Sequence, residues 1–451
     1  MPYWDYTIDS IKVEFDAGRA QISSIFKDSE LFAEDFFGET DSDAHRVTVG
    51  RFAQLLVPRN DEFEVKSPYG FLRAPWNINP SKFVTRYHKV CDSDVISTVR
   101  GTSGGRPYNW HVPIYGVAAL LRGWLLSCFY LLHTMPPPPF KTKTKNAPIQ
   151  QQNSTESTAM TDLMWPTCAS HFQFSNTDEA GLDTWRTWAD MVMYKPHGPV
   201  HSWVGGVGGQ CNTFDALHTQ ENLLTLEQTD VLKHVAFALL KSAWRSELLN
   251  TPSYCAADAP VSECMWQCSD DIFVGGSDQN KAAMTYLSSF AGLQLNTILA
   301  SEKDRHKVLR KVFCDTPYWP GDHLEAASPV EASFWAIHPT LDRLFQYKQL
   351  VRPFADKTWE STSGDSDCVA SESGCEGHHA YDATYFKAVM VNKDGIFQSK
   401  HMTNIEMRDA MDPRETYALP YFYNHFDWSH CSKAGIEFKK VEHSQKFLLE
   451  V

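Results

Sequence analysis

The residues whose types and spacing could do chemistry are histidines. The run Pro196-His197-Gly198-Pro199-Val200-His201-Ser202-Trp203-Val204-Gly205-Gly206 places two of them four residues apart. On a helix of 3.6 residues per turn, that spacing brings both imidazoles to one face. Two nitrogens so placed can reach one ion, and neutral imidazole suits copper and zinc. The other reading of H-x-x-x-H is two surface or core histidines, and the spacing alone does not separate the two. No Glu follows His197, so the H-E-x-x-H form of zinc proteases is absent. The glycines after Trp203 are expected to end the helix and to admit neighbouring backbone closely.

Two further segments carry less by themselves. In Ser328-Pro329-Val330-Glu331-Ala332-Ser333-Phe334-Trp335-Ala336-Ile337-His338-Pro339-Thr340-Leu341-Asp342-Arg343-Leu344-Phe345, one histidine lies in an apolar run ahead of Asp-Arg. Alone it reads as a core histidine satisfied by a carbonyl. Pro2-Tyr3-Trp4-Asp5-Tyr6-Thr7, with Ser23-Ser24-Ile25-Phe26 downstream, reads alone as aromatic packing.

Taken together and in order, the three segments resemble landmarks of the type-3 copper family, which comprises tyrosinases, polyphenol (catechol) oxidases and haemocyanins. PYWDY is similar to that family's P-Y-W-D-W, and Ile25-Phe26 fits the segment after it. PHGPVHSWVGG is similar to the histidine pair of the second copper site, and FWAIHPTLDRLF resembles F-W-x-H-H-x-x-x-D-R-L-W. Met402-Thr403-Asn404 and Leu419-Pro420-Tyr421 add looser similarity. The resemblance touches residues 2–26, about 161–215 and about 328–350. It implies that His197, His201 and His338 ligate one copper. It also implies that Phe334 is a gate over the metal that screens substrates, and that Asp342 and Arg343 form a structural carboxylate–guanidinium pair. The implied activity is oxidation of phenols or catechols with O2. Oxygen carriage, as in haemocyanin, and a non-catalytic remnant that keeps the fold as a metal-binding or structural protein are the alternatives.

The departures bear on activity. The family uses two coppers, each on three histidines, and the first triad precedes P-Y-W-D-W. Here only Met1 precedes Pro2, so only one triad is visible and the domain reads as N-terminally incomplete. His88, His111, His171, His218 and His234 sit in no matching motif. His338 follows His201 by 137 residues, a longer gap than in relatives. Ile337 stands where most relatives have the first histidine of the H-H pair. Gly198 stands where many tyrosinases have an Asn that helps deprotonate monophenols, which favours diphenol oxidation.

These residues have to be positioned by the rest of the chain. The fold expected is mainly α, a helical bundle around the copper site with loop-rich flanks and a C-terminal module with β content. The domains are 1–350, with insertions at about 101–160 and 250–325, and 351–451. Residues 1–100 read as short helices and turns. Leu223, Leu226, Val231, Val235, Leu239 and Ala243 mark an amphipathic helix within 222–249, and 281–313 reads as further helix. Ala388-Val389-Met390-Val391 reads as strand.

With 43% hydrophobic and 13% aromatic residues, the chain can bury a sizeable core. A net charge of −14 repels phosphates, so nucleic acid is not an expected partner. Val112–Leu132 is 21 residues long with one charge, Arg122, and meets the length of a membrane span. The central arginine makes a buried helix or hairpin the favoured reading. Residues 101–160 also break from their neighbours in composition, as a retained intron would. The eleven cysteines allow either a secreted or a reduced protein; Cys255 or Cys264 with Cys268, and Cys368 with Cys375, are plausible local pairs. The first residues carry neither a basic nor an apolar leader region. The compartment is therefore open, extracellular or organellar if the N-terminus is truncated.

Overall fold

The structure, a computed structural model, describes residues 2–12, 15, 29–60, 62–89, 91, 165–359, 380–392, 394–414, 421–423 and 425–441. The expected insertion at 101–160, its apolar run and the Cys368/Cys375 pair lie outside them. The fold is mainly α with a small β part. Its principal helices are α1 (Tyr6–Ile11), α2 (Cys168–Asn176), α3 (Trp185–Val192), α4 (Gly198–Gly205), α5 (Leu226–Arg245), α6 (Asp278–Ala291), α7 (Glu302–Leu309), α8 (Phe334–Val351) and α9 (Asn404–Ala410). The strands β1 (Val207–Gly209), β2 (Leu249–Asn250), β3 (Gln267–Cys268), β4 (Tyr318–Pro320), β5 (Ala383–Val391) and β6 (Phe397–Thr403) pair as β1–β4, β2–β3 and β5–β6, all antiparallel. Among the described residues, no helix is long and apolar enough to cross a membrane.

The described residues fall into two compact units. The first joins Met1–Arg19, Pro166–Gly198 and Trp335–Val451. The described residues after 350 therefore share a unit with α1, α2 and α3. Its core is aromatic: Trp188, Phe345, Tyr347, Phe354 and Trp428 are all buried together. The disulfide Cys168–Cys431 ties α2 to the C-terminal stretch. The long hairpin β5–β6 leads into α9, which Thr403 starts by capping the Glu406 amide while Glu406 returns a bond to Thr403.

The second unit joins Ala20–Trp165 and Pro199–Phe334. Within it α5 packs on α6. A capping box of Thr225 and Gln228 starts α5 at Leu226, inside the 222–249 window expected. The buried stripe is rotated from the one expected. Leu232, Ala236, Leu239, Leu240 and Ala243 face inward, whereas Leu226 is 55% exposed. Val231 and Val235 are only half-buried. The stretch 281–313 is broken into α6, a turn at Leu295–Ile298 and α7, since Gly292 in the left-handed conformation ends α6.

Cysteine pairing differs from the local expectation. Cys255 bonds Cys264, whereas Cys268 bonds Cys314 and Cys91 bonds Cys211. Cys268 sits on β3 and is carried to Cys314 at the end of the helical stretch. Proximity along the chain did not select the partner.

Candidate metal centre

His197 and His201 flank the start of α4. Pro199, in the first turn, costs no hydrogen bond there because the early amides of a helix have no partner. The His197 Nδ1 lies 3.3 Å from the carbonyl of Met193, one turn back. The His201 Nδ1 lies 2.8 Å from the carbonyl of His323. A ring nitrogen facing a carbonyl carries its proton, so in both rings Nε2 is the bare one. That is the form in which a histidine binds a metal while its other nitrogen is held. The helix ends as the glycines suggest. Gly206 takes φ +65°, and a Cβ there would meet the Lys89 carbonyl oxygen at 2.2 Å.

The third histidine sits on α8, and the PYWDY segment holds that helix. The Trp4 amide donates to the Ala336 carbonyl at 2.9 Å, and the Thr340 hydroxyl donates to the Trp4 carbonyl at 2.5 Å. Arg343 Nη1 lies 3.1 Å from Asp5 Oδ2. Its other nitrogens donate to the carbonyls of His425 and Asp427, and its guanidinium stacks 3.8 Å from the Trp428 ring centre. Successive turns around His338 are thus fixed from one side. The expected pairing of Asp342 with Arg343 is corrected here. Adjacent helix residues point about 100° apart, so Arg343 turns to Asp5. Asp342 accepts from Tyr421 at 2.6 Å and from Tyr423 at 3.1 Å. Burial raises the Asp342 carboxyl above its usual range, and the two phenols oppose that rise.

Held this way, His338 Nε2 stands 3.2 Å from His197 Nε2, with the rings edge to face. With metal–nitrogen bonds of about 2.0–2.1 Å, nitrogens 3.2 Å apart subtend about 100° at a shared ion. That angle lies between square-planar and tetrahedral coordination. His201 follows His197 by one turn of the same run of chain. The donor set could hold a metal ion. Phe334, the expected gate, is buried, with its ring 6.1 Å from that of His201 and perpendicular to it.

Other residues join this site that the motifs did not announce. His323 Nδ1 is 2.9 Å from His201 Nδ1, and His323 Nε2 is 3.0 Å from Glu331 Oε2. Glu331 is itself paired with Arg86, whose Nε is 2.7 Å from Oε1. Burial would raise the Glu331 carboxyl, but Arg86 and His323 outweigh it and hold it far below the usual range. Nothing in sequence spacing marks His323 or Arg86, because one lies in a turn and the other in an irregular segment. Of the histidines left unassigned by sequence, His171 is fully buried between Tyr6 and Trp428. A second cluster, Cys168, His430 and Cys431, also has metal-ligand proximity. Its two sulfurs are joined in a disulfide and offer no thiolate.

Compared with protein-family models, with curated proteins and with solved structures, the chain has no match.

Proposed function

We propose that the chain is a tyrosinase-like copper oxidoreductase acting on phenols or catechols with O2, in which His197, His201 and His338 hold the family's second copper. On this reading the mainly α fold is a helical bundle around a type-3 copper site. The observation that carries the proposal is the pair of Nε2 atoms 3.2 Å apart, with the opposite nitrogen of His197 anchored on a main-chain carbonyl. Copper, when bound, would supply the electrons that reduce O2. The protein's part is to present bare imidazole nitrogens and to keep the far ring nitrogens of His197 and His201 on carbonyls. Phe334 would cover the His201 edge so that only a flat ring of suitable width reaches the metal.

A second reading has its own support. Among the described residues, only one group of three histidines has metal-ligand proximity. The chemistry of the family needs two coppers, so one triad alone favours a non-catalytic metal-binding protein. One experiment separates the readings. The chain is loaded with copper, metal per chain is counted, and oxygen uptake with catechol is followed. Two coppers with sustained uptake support the oxidase. One copper, lost in His338→Ala, without uptake supports the metal-binding reading. A wild-type chain that binds no copper refutes both, and the 3.2 Å contact is then an ordinary imidazole–imidazole hydrogen bond.

A further inference from the structure

His201 rests on a chain of buried polar groups that ends on a guanidinium. Arg86, His323, Glu331, Ser333 and Ser328 are each no more than 1% exposed. Arg86 is fixed by the carbonyls of Gly38 and Phe37, at 2.9 and 3.0 Å, and by Glu331 Oε1. Glu331 Oε2 accepts from the Ser333 amide at 3.1 Å and faces His323 Nε2 at 3.0 Å. The turn that carries His323 is fixed as well. Asp322 accepts from Arg73 Nε at 2.7 Å and from the Thr85 amide at 2.8 Å, while the Gly321 amide donates to Gly206 beyond the end of α4.

The protons along this chain can be placed by elimination. A carboxylate paired with arginine only accepts, so His323 Nε2 carries a hydrogen. The His323 carbonyl only accepts, so His201 Nδ1 beside it carries a hydrogen, and His323 Nδ1, which also faces that nitrogen, is an acceptor. It faces the Ser328 hydroxyl at 3.2 Å and His201 Nδ1 at 2.9 Å. His201 Nδ1 must then be the donor, shared between that nitrogen and the His323 carbonyl 2.8 Å away. Its Nε2 is left with a lone pair.

The structure assigns His323 as a positioning residue that, with Glu331 and Arg86 behind it, locks His201 in the tautomer and orientation that expose Nε2 to a metal. This rests on the reading of His201 as a ligand. A carboxylate behind a ligating histidine raises its basicity and fixes its ring; here a second imidazole stands between the two.

Two measurements test it. In the metal-free wild-type protein, nitrogen-15 NMR reads the His201 tautomer directly; the Nδ1–H form is expected, and the Nε2–H form overturns the assignment. Copper affinity is then measured by competition with a chromophoric chelator in His323→Leu, which has no acceptor, and His323→Asn, whose side-chain oxygen sits near the lost Nδ1. A roughly 10–100-fold loss in His323→Leu is the size expected for removing an outer partner, with most of it recovered in His323→Asn. Should His323→Leu fail to fold, the tautomer and His323→Asn decide. Equal affinity in wild type and both variants overturns the positioning role and leaves the metal site standing. Equal loss in both variants marks a structural role only and also overturns it. A wild-type chain that binds no copper overturns both.

Discussion

Replacing Arg343 with Met should cost about 3–5 kcal/mol, the usual penalty for stranding one partner of a buried ion pair. Asp5 is 8% exposed and Arg343 1% exposed, so solvent screens little of their interaction. Met fills much of the same volume and keeps contact with the Trp428 ring. It removes the 3.1 Å ion pair and the bonds to the carbonyls of His425 and Asp427. Asp5 keeps the Thr7 hydroxyl and amide, at 2.5 and 3.2 Å, so the loss should fall toward the lower end of that range. The assay is urea unfolding followed by tryptophan fluorescence. Asp5→Asn combined with Arg343→Met should recover part of the loss, because no buried charge is then unpaired. Copper affinity should fall with stability in Arg343→Met, since the same clamp fixes the helix that bears His338. A loss below about 1 kcal/mol would place this pair with exposed ion pairs and refute the claim that it anchors α8.

Two other outcomes follow from local geometry and burial. Gly206→Ala should destabilise far more than Gly276→Ala in thermal melts. Both residues have positive φ, +65° and +84°, but only at Gly206 does a Cβ strike backbone, whereas at Gly276 nothing lies within 4 Å. Acid should weaken the fold through His171, whose pKa burial lowers from 6.5 to about 4, an effect Asp5 opposes and Arg343 and His430 reinforce. Above pH 6.5 the ring is neutral folded or unfolded. Between 6.5 and 4 the unfolded chain takes up a proton that the folded one refuses, so stability is lost as pH falls, by roughly 3 kcal/mol over the whole window at 1.36 kcal/mol per unit. Asp9, raised to about 6 chiefly by burial, works oppositely over pH 4–6. The contribution of His171 is therefore read as the wild-type minus His171→Leu difference at pH 7 and pH 4.5. A difference that does not change with pH would refute it.

Much of the candidate site was legible because it is local. His197 and His201 are one turn apart, and a helix brings such residues together wherever it forms. The glycines that end α4 and the strand-forming run Ala388–Val391 of β5 speak through backbone preferences of a few neighbouring residues. PYWDY was visible as a unit, although its task was not: it clamps the helix of His338 through Trp4 and Asp5.

Partner choice at long range was decided only by the tertiary structure. The guanidinium of Arg343 selects Asp5, 338 residues away, over its neighbour Asp342. Cys268 passes over the nearer cysteines for Cys314. The buried face of α5, with Leu232, Ala236, Leu239, Leu240 and Ala243, is offset from the stripe read in the sequence. His323, Glu331 and Arg86 form one network from three separated stretches of chain, and no period links them. By itself the sequence brought His197 and His201 to one face, because helix geometry is a property of a few residues, whereas His338 was singled out only by the resemblance of its segment to a family motif. Which of them are buried, held and aimed follows from packing, which sums over the whole chain and has no local signature.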